Sequence, residues 1–311
     1  MKSISEIVSA RITEPLDLEE ALHLAMQLEF ATIPPYLCAQ WSIKHDPDRV
    51  EEILHRIVSD EMVHFALAGN LLTAIGGLPQ IANENFVLAY PLNCLPGGIK
   101  QQLPVDLQPL DCHQLEVFMQ IENPQFPPVA LTAEEPPATI GDFYDAIIEG
   151  FQTIDPDIDQ DAYAISIFGA PLIRDLDTAI SALERIKSEG EGLKDSPEQP
   201  TSNDTVLAHY YAFKEVYKKR RLIKRDDKWV FEGASIILPD VYAFRKSSSR
   251  CDSKNMAFRK IFSSLLRDLE ACWTEGASFD VAGMFSLKVA GLELVRSGVC
   301  PPFCWEEPIS D

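Results

Sequence analysis

Glu61 and His64 stand three residues apart on a segment whose other inward positions are Leu54, Ile57, Ala68, Leu71 and Leu72. A carboxylate and an imidazole thus complete what is otherwise an apolar helical stripe. The preceding segment repeats the intrusion: Leu18, Leu22, Ala25, Ile33 and Tyr36 recur at helical spacing with Glu29 at the centre. An ionised carboxylate in an apolar interior is strongly disfavoured unless it is paired or coordinates a cation. Three such intrusions on neighbouring helices ask for a shared partner, and a metal ion is the simplest one.

Sorting the remaining acids and histidines by the 100° advance per residue enlarges the set. Leu115, Phe118 and Met119 define a face with Glu122 at its centre, while Glu116 points elsewhere. Leu176, Ile180, Leu183 and Ile186 bring Glu191 to the edge of a stripe and leave Glu189 outside it. Val206, Phe213 and Tyr217 place His209 inward and turn Glu215 away, and a helix break between Glu191 and His209 lets both reach one centre. Glu149, opposite Ile140, Phe143, Ile147 and Phe151, reads as solvated. The predicted ligands are therefore Glu29, Glu61, His64, Glu122, Glu191 and His209. Carboxylates with neutral imidazoles suit Fe or Mn, and four negative charges balance two divalent cations, the logic of a dinuclear site inside a helical bundle.

The elements that must position these groups read as helix after helix, an all-α chain with long Pro-rich loops. Helices are predicted over about 17–43, with Asp17 and Glu20 as a capping box, and over about 47–75, stopping at Gly76-Gly77. Pro34 and Pro35 predict a kink just after Glu29. A connection of about thirty residues to Pro109 reads as a crossover or a lid over a pocket. Further helices are expected over about 111–123, 139–153, 171–189, 204–222, 257–273 and 280–296, with 124–137 extended and a short strand or two between Lys228 and Pro239. One domain accounts for residues 1–311, its core about 16–225 and a C-terminal helical extension about 226–311.

Composition excludes several classes of function. The formal net charge of −21 disfavours nucleic acid, whose phosphates need clustered cations, and the basic run Lys218 to Arg225 reads as a solvated helix end. No run of about eighteen uncharged apolar residues is present to span a membrane. The first thirteen residues lack the apolar core of a signal peptide, so the expected compartment is the cytoplasm. Seven cysteines without a Cys-x-x-Cys pair read as free thiols.

Beyond these physical readings, the chain carries Leu28-Glu29-Phe30-Ala31-Thr32-Ile33-Pro34-Pro35-Tyr36-Leu37, Asp60-Glu61-Met62-Val63-His64 and Ala74-Ile75-Gly76-Gly77-Leu78-Pro79. With Ile121-Glu122-Asn123-Pro124, Thr139-Ile140-Gly141-Asp142-Phe143-Tyr144, Gly190-Glu191-Gly192 and His209-Tyr210-Tyr211-Ala212-Phe213, it resembles the ferritin-like domain of the iminophenyl-pyruvate dimer synthase family. The resemblance runs from about Leu16 to Arg296 and implies a ferritin-like helical bundle with an iron-associated site. Family members oxidatively couple two imines derived from aromatic amino acids in bisindole pigment pathways. The chain departs from the family at Asp142, where Glu is usual, and over Val241 to Arg245, which lack a Met-x-x-Asn-Pro pattern.

The combined expectation is a non-haem, di-iron oxidoreductase, with Mn as the alternative metal. Its partners would be a small organic substrate and O₂ or peroxide, and assembly into a homo-oligomer is compatible with the chain. The competing expectations are a non-catalytic metal-binding protein and a scaffold partnering a biosynthetic enzyme.

Overall fold

A helix that is apolar on every side must be buried on every side. The computed structural model describes residues 2–124, 138–166, 169–191, 196–200, 205–246 and 252–307. After a short helix α1 (Ile4–Ala10), which opens with a capping box between Ser3 and Glu6, comes the axis of the fold, α2 (Pro15–Ser42). Every residue of α2 from Leu28 to Ser42 is buried. Pro15 occupies its first turn and Glu14 precedes it without a side-chain cap, so the predicted Asp17–Glu20 box does not form.

The predicted kink does not break the helix either: α2 runs unbroken through Pro34 and Pro35. Pro35 has no N–H for the carbonyl of Ala31, and the Tyr90 hydroxyl donates to that carbonyl instead at 2.7 Å. A side chain from a distant loop thus supplies the hydrogen bond that the proline removes.

The strand β1 (Ile43–His45) leads to α3 (Val50–Ala74), which packs along α2 and is buried from Val63 to Ala74. It ends as its Gly-Gly pair predicts. Gly76 takes φ +85°, Gly77 N donates to Leu72 O and Gly76 N donates to Thr73 O, a Schellman closure.

The long connection that follows is a strap rather than a lid. Ile81, Leu95, Ile99, Leu103, Val105, Leu107 and Leu110 are all buried, and Leu92 and Val105 exchange backbone hydrogen bonds. Glu270 accepts from the backbone N–H groups of Ile81 and Ala82, and Gln27 donates to the carbonyls of Asn85 and Phe86. Its buried apolar residues make this segment part of the core.

Next come α4 (Cys112–Ile121), capped by Asp111, and α5 (Ile140–Ile154), capped by Thr139. Asp142 performs the capping-box role there, accepting from the Thr139 N–H at 2.7 Å, so the shorter acid serves where Glu is usual. The predicted extended stretch lies, apart from Pro124, outside the described residues. α6 (Leu176–Glu191) starts later than periodicity suggests because the Asp175 carboxylate accepts from Thr178 N. A hairpin of β2 (Glu198–Pro200) and β3 (Thr205–Leu207) delays α7 (His209–Lys218), correcting the helix predicted from Asp204.

Of the short strand or two expected between Lys228 and Pro239, β5 (Lys228–Val230) falls in that range; it pairs with β4 (Ile223–Arg225), and β6 (Asp240–Val241) pairs with β1. Finally α8 (Ser253–Thr274) and α9 (Ala282–Arg296) pack on one another and against α2 and α3. Cys38, Cys94, Cys112, Cys272 and Cys300 are free thiols. No helix among the described residues is long and apolar enough to cross a membrane.

If Tyr90 satisfies the proline-orphaned carbonyl, Tyr90→Phe leaves a buried acceptor unpaired and should cost about 1–3 kcal/mol. Urea denaturation is expected to show a lower midpoint with an unchanged slope; an unchanged midpoint would show that Ala31 O is satisfied otherwise.

Candidate metal centre

Two imidazoles point the same nitrogen at the same small space. His64 Nδ1 lies 3.4 Å from Glu29 Oε2 and 3.7 Å from Glu61 Oε1. His209 Nδ1 lies 2.9 Å from Glu61 Oε1 and 3.7 Å from Glu122 Oε2. The donor atoms fall into two triads that share one residue: Glu29, Glu61 and His64, then Glu61, Glu122 and His209. None of the five residues is more than 6% exposed.

The elements explain the convergence. α2 supplies Glu29, and one face of α3 supplies Glu61 and His64 at i, i+3. Glu122 sits just past the end of α4, and His209 opens α7, where the preceding hairpin has stopped the chain from continuing as helix.

Each inward carboxylate is held by a hydroxyl on one oxygen and presents the other to an imidazole. Tyr144 donates to Glu29 Oε1, Tyr36 to Glu122 Oε1, and Thr32 to Glu61 Oε2 at 2.8 Å. Tyr36 and Tyr144 thus orient candidate ligands.

The outer nitrogens are held as firmly. His64 Nε2 is 2.8 Å from Glu189 Oε2, and His209 Nε2 is 3.3 Å from Asp60 Oδ2. Arg185 fixes Glu189 at 2.9 Å, and Arg56 fixes Asp60 at 3.0 Å. An imidazole whose Nε2–H donates to a carboxylate keeps its Nδ1 lone pair free, the arrangement that supports metal-bound histidine.

One atom tests the fit of a cation directly. His209 Nδ1 is fully buried and, although close to Glu61, is so poorly aligned that it makes no hydrogen bond. A buried ring nitrogen without a partner is costly, and a cation among the facing carboxylate oxygens would satisfy it. The cavity bordered by Glu29, Glu61, His64 and Glu122 measures about 30 Å³, room for ions and water.

Five predicted residues, Glu29, Glu61, His64, Glu122 and His209, therefore meet. The side chain of the sixth, Glu191, lies outside the described residues, although its neighbour Gly190 abuts Glu122: a Cβ there would stand 3.2 Å from Oε2. The reading of Glu189 needs correction. It flanks Ile186 at i+3, close enough to the stripe for its long side chain to reach His64. Asp60 was missed because it is one position from Glu61 and thus off the inward face; the second nitrogen of each inward histidine was the signal that a further acid was needed. Glu149 is exposed as expected. Glu215 points away from the centre but is buried, accepting from Arg221 at 3.0 Å.

The charges strain against one another. Burial, and then the neighbouring Glu122 carboxylate, push Glu61 up to about 7. Burial opposes the charged form of His64, but Glu189, Glu29 and Glu61 outweigh it and lift the imidazole to about 10. Burial likewise opposes ionisation of Glu189, yet His64 and Arg185 hold it down to about 2. Without a cation, protons must neutralise the cluster.

Family and structural comparisons agree with this architecture. A model of the family described as ferritin-like matches residues 22–218. The chain belongs to the ferritin-like family. The matched span contains all the candidate ligands. A crystal structure of a ferritin-like protein from Caulobacter vibrioides is similar in fold, with a TM-score of 0.64 and 20% identity over 91% of this chain and 96% of that one. No curated protein matches the chain.

These shifts set a pH dependence for the metal-free protein. Glu61 holds its proton more tightly folded than at its ordinary 4.5, so its contribution falls as pH rises from there to about 7. The His64 contribution is complete below 6.5 and lost as pH rises through about 10. Chelator-stripped protein should therefore melt at progressively lower temperature across that range, and His64→Gln should flatten the alkaline part. A saturating divalent metal displaces those protons and should abolish the decline; superimposable stripped and metal-loaded curves would contradict the assignment.

Proposed function

We propose that the chain holds a dinuclear non-haem metal centre, iron with manganese as the alternative, and acts as an oxidoreductase on a small organic molecule. The observation that carries this reading is the sharing of Glu61 by two triads, each with its own imidazole and its own terminal carboxylate. Two ions would be held by Glu29 and His64 on one side and by Glu122 and His209 on the other, with Glu61 common to both. Oxygen-rich donors with imidazole suit Fe or Mn. When bound, such a centre supplies electron transfer between an organic substrate and O₂ or peroxide.

The chain's own residues do the preparatory work. Tyr36, Tyr144 and Thr32 fix the carboxylates, while Glu189 and Asp60 fix the imidazoles, so the donor atoms need little rearrangement to accept cations. The resemblance to iminophenyl-pyruvate dimer synthases supports an imine of an aromatic amino acid as the substrate class, in secondary metabolism.

A second reading, metal binding without turnover, is favoured by the size of the cavity at the cluster. About 30 Å³ admits ions and water but no organic molecule. Oxygen uptake separates the two. Iron-loaded, reduced protein that consumes O₂ once and then stops supports metal handling; uptake that continues on adding phenylpyruvate and ammonia, which supply such an imine, supports the oxidase.

Metal analysis tests the centre itself. Protein purified without chelator is expected to carry about two iron or manganese ions per chain, and Glu61→Ala should lose both because it removes the shared donor. Asp60→Asn, which weakens the support of His209 along with the Arg56 pair, should lower metal affinity by roughly 10–100-fold. Content well below one ion per chain, unchanged by Glu61→Ala, would overturn the proposal.

A further inference from the structure

The faces of α2 and α3 that turn away from the metal cluster border a second, much larger cavity. It measures about 450 Å³ and is closed on its far side by α8 and α9. On α2 the cluster residues Glu29, Thr32 and Tyr36 alternate with cavity residues Phe30, Ile33 and Leu37. On α3, Met62 and Phe65 each follow a candidate ligand in sequence and face the cavity.

The cavity is not uniform along its length. At one end the centroid of the Phe30 ring lies 5.6 Å from that of Phe65 and 6.1 Å from that of Phe262, and Trp273 packs edge-on to Phe65 at 5.6 Å. That end offers no charged group. At the opposite end the wall turns polar, with Gln40, His55, Ser59 and Lys288.

Two potential donors border the polar end, one of them buried and without an acceptor among the described residues. Trp41 is 3% exposed and lines the wall, yet its Nε1–H has no acceptor among the described residues. Its ring rests on Gly291 of α9, where a Cβ would stand 2.2 Å from Cζ3, and Lys288 precedes Gly291 by about one turn of the same helix. Lys288 is exposed and makes no ion pair among the described residues, in a chain whose net charge is −21. The mouth opens beside Phe285, which lines the cavity while remaining 68% exposed.

We propose that this cavity is a binding site for a hydrophobic monocarboxylic acid, its apolar body among the phenylalanines and its carboxylate at the Trp41–Lys288 end. The buried indole N–H and the unpaired ammonium are both donors, and a carboxylate is the simplest group that accepts from both. The volume falls within the usual range for small-molecule sites. A 150 Å³ apolar cavity takes benzene, so about three times that volume takes roughly eighteen non-hydrogen atoms. The site lies across the α2–α3 pair from the metal cluster and does not depend on the metal reading.

Dodecanoate is a suitable probe, followed through the fluorescence of Trp41 and Trp273 on the full chain. Saturable binding with one site per chain is expected, in chelator-stripped and untreated protein alike. Lys288→Gln alters an exposed residue and should weaken dodecanoate by about tenfold, the loss of one charge-assisted hydrogen bond, while leaving dodecanol unaffected. Leu265→Trp, which fills the cavity, should abolish binding of both. An absence of saturation with dodecanoate in the wild-type chain overturns the inference, and so does binding that Lys288→Gln and Leu265→Trp leave unchanged, since the ligand would then sit elsewhere.

Discussion

Three carboxylates share an interior in which, among the described residues, no lysine or arginine pairs with them: Lys187 borders the cavity but is held by Asp145 at 2.6 Å. Among the described residues, Glu29, Glu61 and Glu122 have only imidazoles and hydroxyls as side-chain partners. Burying several like charges together is among the most unfavourable arrangements a fold can adopt, so the surrounding structure has to be organised around relieving it. Protons relieve it partly, as the elevated values of Glu61 and His64 show. Cations relieve it more completely, and the orphaned Nδ1 of His209 indicates where a donor is left over.

The second tier of contacts gives the cluster its directionality. Hydroxyls occupy one oxygen of each carboxylate, and outer acids occupy the Nε2 side of each imidazole. Ferritin-like dinuclear sites commonly draw a Glu-x-x-His pair from each of two helices. Here one such pair is intact at Glu61 and His64, whereas the residue three before His209 is Val206, on β3. The hairpin ahead of α7 separates an imidazole from its helical companion, and Asp60 rather than a residue of α7 steadies it.

Much of this was legible because polar groups on apolar stripes are rare and conspicuous. Glu29, Glu61, His64, Glu122 and His209 each interrupted a helical period, and each is buried at the cluster. Glu189 and Asp60 were not legible, since both flank a buried face and resemble surface acids until the tertiary structure supplies a histidine to meet them. The fold class and a helix spanning Pro34 and Pro35 followed from periodicity, but what sustains that helix did not. The hydrogen bond that Pro35 cannot make at Ala31 O comes from Tyr90, far away in sequence. The hairpin before α7 escaped notice because strands of three residues carry almost no periodic signal.

The pairing of α2 with α3 has a further consequence. This one partition separates two compartments of opposite character, an ionic one and an oily one, and its residues alternate between them. Thermodynamics makes any influence across this shared wall mutual: whatever filling one chamber does to the affinity of the second, filling the second must do in equal measure to the first.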